Sequence, residues 1–348
     1  MIANTRVLSQ QLSKQSFDKP KDLVSWMGAI QAQSYEMSKW AVGIRTKSAR
    51  ISDVEEALQK GEILRTHILR PTWHLVAAED IRWMLALSSK RIKAAIESYG
   101  KYLDIPNNLY SKSFHLIEKI LEGNKSMTKQ EIGEEITRSG ITIDTIKMNH
   151  LIMQAEAEGI ICSGIYQGSK NTYALLEERV APAKKLEKEE ALARLATKYF
   201  QSHSPASLQD FTWWSGLSIT EARQAIKLIE PNLIADRFAS ENVYIHESYD
   251  KNIKTDNGLY LLPSYDEYLI SYKDRTTVLD LQHHSKAFSN NGIFQPVILH
   301  QGIIIGNWKK SIKKGGINIE ASFFEQDTRI DNDLINKASE RYKNFVSR

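Results

Sequence analysis

Apolar residues recur along this chain in one order, three times over: short stretches spaced three and four apart, then a pair of short β-branched runs. The first spacing lines one helical face, whereas alternation or a short apolar run suits a strand. In the first pass, residues 7–12 and 23–30 read as amphipathic helices, with Pro20 opening the second. A third helix begins at Ser52, where Ser52 and Glu55 have capping-box spacing, and stops at Gly61. Strands at 63–69 and 72–76 follow, broken at Pro71, which has no N–H for a ladder. A long helix over 79–99 then carries Lys90, Arg91 and Lys93 in its C-terminal half, as dipole partners or as a DNA-facing patch.

The second pass has a helix at 114–121 and a Thr128/Glu131 capping box opening a helix that ends near Gly140. Asp144 can cap the next helix, which runs to Gly159, and strands at 160–163 and 172–176 close the block. The third starts with a helix over 183–201 whose mixed charges read as a solvated face. Ser207 opens a helix closed by Gly216, Ser218 and Glu221 box the next, and strands follow at 233–238 and 243–246. Beyond the turn signal Asp256-Asn257-Gly258 the texture becomes β-rich, with strands at 259–262, 297–300, 303–308 and 317–319. Gln301-Gly302 is a two-residue hairpin signal, and a helix over 332–346 ends the chain.

Three short helices followed by a hairpin is the winged-helix pattern, and its threefold recurrence carries more weight than any single motif. The expected class is therefore α+β: three tandem winged-helix units and a small C-terminal β-barrel-like domain. The expected boundaries are 1–100 for the first unit with its linking helix, 101–180, 181–256, and 257–348 for the β domain.

Composition adds limits. With 42% hydrophobic and 25% charged residues the chain is ordinary for a soluble globular protein. Its net charge of +4 is mild, so any nucleic-acid surface must be a local patch. The single cysteine, Cys162 in an apolar run, excludes an intrachain disulfide and a cysteine zinc site, and reads as core. No membrane span or signal peptide is visible, which implies a cytoplasmic setting. Phosphate loops, dinucleotide loops, His-Glu-x-x-His and Gly-x-Ser-x-Gly elbows are absent, and the histidines lack metal spacing, so no cofactor or metal is expected.

Four stretches hold candidate chemistry. Gln31-Ala32-Gln33 closes a helix; on extended backbone two residues apart share a face. Two neutral amides can hold a water but cannot act as a base at neutral pH, which suits a leaving group already activated. Polar capping of a helix end is the plain alternative. In the 64–74 hairpin, Arg65, His67 and Arg70 read as phosphate contacts of a wing, while His74 and Thr72 share a face that can turn toward the glutamines. In the 263–275 run, Lys273 and Arg275 beside aromatics can meet bases and phosphates. Adjacent Asp266 and Glu267 would point apart on a strand, where a structural ion-pair network is the simpler account. Lys309, Lys310, Lys313 and Lys314 form the densest basic patch, at the end of a hairpin or in a solvated loop.

Taken together and in order, Gln31-Ala32-Gln33 with Trp40-Ala41-Val42-Gly43-Ile44-Arg45, Arg65-Thr66 through Thr72-Trp73-His74-Leu75-Val76, Asp210-Phe211-Thr212-Trp213-Trp214-Ser215-Gly216, Leu262-Pro263-Ser264-Tyr265-Asp266-Glu267-Tyr268-Leu269 and Gly306-Asn307-Trp308 resemble the AlkZ-like winged-helix DNA glycosylases over nearly the whole chain. The resemblance implies hydrolysis of the N-glycosidic bond of N7-alkylated purines, interstrand crosslinks included. Gln31 and Gln33 then match the catalytic Gln-x-Gln branch. It further implies a monomer acting on double-stranded DNA that carries alkylated or crosslinked purines. With no lysine in the motif, no lyase step is expected, and a crosslinked base need not flip. A non-catalytic winged-helix DNA-binding protein, such as a transcription regulator, or a protein that sequesters the adduct are the competing readings.

Overall fold

The computed structural model describes residues 2–347 apart from 104, 169, 239–240, 250–256, 314–315 and 327–328. Asp256 and Lys314, both used above, lie outside the described residues. The architecture is mixed helix and sheet, α+β as expected. Its contacts divide the chain differently from the sequence blocks: Glu56–Ala191 is one continuous unit, and Met1–Glu55 with Leu192–Arg348 make the other.

In the continuous unit, strands Ile63–His67 and Trp73–Ala77 pair antiparallel, with Arg65 opposite Leu75 and Thr66 opposite His74. The helix Ala78–Gly100 follows. Helices Asn107–Leu121, Lys129–Arg138 and Thr145–Ala157 then surround a core of Ile117, Leu121, Ile132, Ile136 and Ile152. The three strands beside them run in the order Met127–Thr128, Thr172–Leu175, Ile161–Ser163. The Thr128/Glu131 capping box forms in both directions, and the Asp144 carboxylate accepts the Lys147 N–H at 2.8 Å. Each satisfies amide groups that a helix start would otherwise leave open. Cys162 is buried, as expected, and burial pushes its thiol up to about 12.

The discontinuous unit holds the helices Pro20–Met27, Tyr35–Gly43, Leu208–Ser215, Ile219–Leu228 and Asn332–Val346. One sheet has the order Ala206–Ser207, Glu241–His246, Leu233–Phe238. The other is four antiparallel strands in chain order: Leu259–Leu262, Val297–His300, Ile303–Lys313 and Gly316–Phe323. Gln301 and Gly302 both have positive φ, 49° and 79°, as a tight hairpin between twisted strands requires. The last two strands are much longer than their apolar pattern suggested. Backbone pairing continues to Lys313 opposite Gly316 through a stretch whose side chains are mostly charged or polar.

One helix is added and two local expectations change. The Tyr35–Gly43 helix has no clear polar face, because Ser38 through Gly43 are all buried, and so it gives no amphipathic signal. The Ser52/Glu55 box does not form, since the helix already starts at Ile51. There the Asp53 carboxylate accepts the Arg50 N–H at 2.7 Å, while Glu55 is drawn to Lys39 at 2.8 Å. The helix expected to reach residue 30 stops at Met27, where Gly28 takes φ 77°. A Cβ at Gly28 would lie 3.4 Å from both Lys198 and Trp214.

Candidate active site

Because Gly28 turns the chain out of the helix, Ile30 and Gln31 emerge as extended backbone, and Gln33 sits at a bend just before Ser34, the cap position of the Tyr35–Gly43 helix. Lys198 fixes this exit by donating from Nζ to the Ser25 carbonyl at 2.5 Å and to the Ser25 hydroxyl at 3.0 Å. Gln31 is only 3% exposed and Ala32 is buried, whereas Gln33 is exposed. The glutamines therefore occupy different surroundings, one anchored and one presented. Lys39, itself buried, holds the following helix by ion pairs to Glu36 at 3.0 Å and Glu55 at 2.8 Å.

Behind Gln31 lies a polar layer. The 263–275 run, expected to be extended, instead turns into a short helix, Glu267–Ile270, capped by Asp266. Both acids are buried. Asp266 accepts the Tyr268 N–H at 2.9 Å and takes both terminal nitrogens of Arg45, at 2.8 and 2.9 Å. Arg45, fully enclosed, also donates to the Gln10 side chain at 2.9 Å, and Gln10 donates to the Tyr272 hydroxyl at 3.2 Å. The ion-pair network expected here is present. Glu267 does something else: its Oε1 accepts the main-chain N–H of Gln31 at 2.5 Å, and its Oε2 accepts the Ser271 hydroxyl. His203 Nε2 stands 3.5 Å from Oε2. Burial holds the His203 pKa below the usual histidine value, so this ring is neutral at pH 7.

The basic residues singled out from the sequence are placed unevenly. Lys273 is exposed, its ammonium 4.7 Å over the Trp213 ring. Arg275 donates to the Leu269 carbonyl at 2.8 Å and lies among Trp213, Phe288 and Phe294. Lys309 and Lys310 are exposed and line a cleft of about 650 Å³ that also contains Met37, Lys286 and Asn307. Met37, in the first turn of the helix that follows Gln33, is the lining residue nearest in sequence to the motif. Lys286 was not foreseen; it stands alone in sequence, with no basic neighbour to mark it. Lys313 continues the same strand.

In the continuous unit the hairpin residues are mostly enclosed. Arg65 is buried with its guanidinium 4.3 Å over Trp73, and its N–H donates to the Ser163 hydroxyl at 2.9 Å. His67 Nδ1 meets Glu156 at 2.8 Å inside the fold. Neither is presented as a wing contact would be. His74 is buried, with Nδ1 at 2.9 Å from the Thr72 carbonyl. Thr72 and Arg70 are partly exposed. Gln10, His203 and Ser271 carry no sequence signal of their own, and Arg45, though part of the Trp40–Arg45 stretch, shows its role only when distant segments close on it.

Among the described residues no three His, Cys, Asp or Glu side chains are grouped to hold a metal ion, and no helix is long and apolar enough to cross a membrane.

The fold and the motif together point to the DNA glycosylases, and the family comparison bears on that class directly. Residues 24–345 match the family model described as DNA glycosylase AlkZ-like, and the chain belongs to that family. Among solved structures it is similar to the DNA glycosylase AlkZ of Streptomyces sahachiroi, with a TM-score of 0.84 at 18% identity, covering 100% of this chain and 96% of that one. At that identity the likeness speaks for the fold. No curated protein matches the chain. The resemblance seen in the sequence is thus supported by the family match over most of the chain: the protein is a DNA glycosylase, and DNA is its partner.

Proposed function

We propose that this enzyme hydrolyses the N-glycosidic bond of N7-alkylated purines in duplex DNA, crosslinked purines included, with Gln31 and Gln33 as its catalytic residues. The observation that carries this reading is the Gln31 N–H held by buried Glu267 while Gln33, two residues on, is exposed, with Met37 of the next helix lining the lysine-bearing cleft. Alkylation at N7 makes the purine cationic. When the bond from C1′ to N9 breaks, its electron pair neutralises the base, and no strong acid is needed. Water adds to C1′ and loses its proton to solvent. The amides supply orientation and dipoles toward an oxocarbenium-like carbon, work that demands a fixed frame more than a basic group. No lysine lies in the motif, so the product is an abasic site without strand cleavage.

Lys309, Lys310 and Lys286 on the cleft, with Lys273 beside Trp213, are the proposed phosphate and base contacts. Arg65 and His67 are left out, since their partners are internal. We further read the helix-and-hairpin recurrences as three winged-helix units and the four-stranded sheet as the core of a barrel-like domain.

Single-turnover excision on duplexes carrying N7-methylguanine or a nitrogen-mustard crosslink tests the proposal. Gln31→Ala and Gln33→Ala should each slow excision about a hundredfold or more with DNA affinity nearly unchanged. Thr72→Ala and His74→Ala test the expected hairpin support in the same assay. Wild-type protein that binds both duplexes and releases no base would sink this reading. Excision that proceeds unchanged in both glutamine variants would move the chemistry to other residues.

A further inference from the structure

We propose that Glu267 is a positioning residue for this reaction: it fixes the main chain at Gln31, and through it the catalytic amide. The proposal rests on the assignment of Gln31 and Gln33 above. A carboxylate at the start of a short helix would ordinarily bind amides of its own first turn, but Asp266 already does this through the Tyr268 N–H. Glu267 is released from that duty. It is 1% exposed, and its Oε1 reaches a main-chain N–H from a segment 236 residues earlier.

The carboxylate is itself aimed. Ser271, one helical turn on, donates to Oε2 and sets the torsion that leaves Oε1 facing Gln31. On the other side, His203 Nε2 lies 3.5 Å away, and His203 is set by its Nδ1 contact to the Ser202 hydroxyl at 2.7 Å and by a stacked Tyr199 ring at 4.7 Å. Asp266, bound to Arg45 at two nitrogens, pins the helix that carries Glu267. The Glu267 branch of this layer therefore reaches one peptide group, at the residue whose side chain the reaction needs. A misplacement of about 1 Å can cost about a hundredfold in rate, so the anchoring atom's reach matters more than its charge.

That contrast gives the test. Glu267→Asp keeps the charge and withdraws the carboxylate by one methylene; Glu267→Gln keeps the reach and an acceptor oxygen. Single-turnover rate at saturating protein, DNA Kd, thermal midpoint and amide hydrogen exchange at Gln31 are measured together for both. The expected result is a fall of about ten- to a hundredfold for Glu267→Asp, with Kd within about twofold and faster exchange at Gln31. Glu267→Gln should return most of the rate. Ser271→Ala, which loosens the carboxylate without shortening it, should fall between them and serves if Glu267→Asp does not fold. A folded Glu267→Asp with wild-type rate overturns the proposal, as does a Glu267→Gln that is as slow as Glu267→Asp. Wild type that excises neither substrate overturns the reading beneath it, and unchanged rates in the Gln31 and Gln33 variants overturn both.

Discussion

Each unit of this enzyme buries a glutamate against a histidine, and the two pairs have different ends. Glu156 takes His67 Nδ1 at 2.8 Å and the Thr66 hydroxyl at 3.3 Å, and so ties a helix to a hairpin through side chains. Glu267 keeps His203 at 3.5 Å and accepts its close hydrogen bonds from the Ser271 hydroxyl and the Gln31 main-chain N–H. The residue types are the same. What differs is the atom each carboxylate holds: a side chain in one case, the backbone of the glutamine motif in the other. A buried acid–imidazole pair is thus no sign of chemistry until its further contacts are followed.

The sharpest way to break the contrast is to remove what pins the Glu267 helix. Arg45→Met leaves Asp266 buried without its guanidinium and should destabilise the protein by about 3–5 kcal/mol, measured by urea unfolding. A loss under about 1 kcal/mol would mean that solvent reaches the pair and that the layer is not sealed. Glu156→Ala should come next, costing about 1–3 kcal/mol as Thr66 and His67 lose their partner. Its excision rate per folded molecule should nevertheless stay near wild type. A stable Glu156→Ala protein without activity would erase the distinction between the two pairs.

The histidines sharpen it further. Burial lowers the pKa of His203, and likewise of His150 and His246. A depressed histidine stays neutral in the fold while the unfolded chain takes up a proton near pH 6.5, so stability is full above that pH and declines as pH falls below it. Each histidine contributes at most about 1.4 kcal/mol per pH unit. Thermal midpoints between pH 7.5 and 5 should therefore decline, and less steeply in His203→Asn; an equal slope in that variant would remove His203 from the explanation. The smallest effect is a null one. Cys162, buried and with its thiol pushed up to about 12, should resist thiol reagents until the protein is unfolded.

Much of this was legible in the sequence where structure is locally determined. The capping pairs Thr128/Glu131 and Ser218/Glu221, the αL glycine Gly216 and the Gln301-Gly302 turn formed as their chemistry dictates. Elements whose signal is an exposed face against a buried one were also found. The Tyr35–Gly43 helix was lost because packing on nearly all sides removes that contrast. At the site, the glutamine motif and the acidic pair were both visible, but not their meeting. The strand before Asp266 and Glu267 ends at Leu262, and the cap at Asp266 opens a helix from which Glu267 reaches the Gln31 main chain. Arg45 illustrates the general limit: the apolar stretch before it marks the position, but its enclosure depends on Gln10 and Asp266 arriving from opposite ends of the chain.

The split of one unit across Met1–Glu55 and Leu192–Arg348 has a consequence for how the enzyme is made. A ribosome adding about 5–20 residues per second places Glu267 roughly 10–50 s after Gln31. Through that interval the Gln31 N–H lacks the Glu267 carboxylate, while the continuous unit emerges whole. Emerging chains of this protein should therefore acquire protease resistance in the continuous unit first, and the glutamine motif, synthesised before that unit, should take its final form after it.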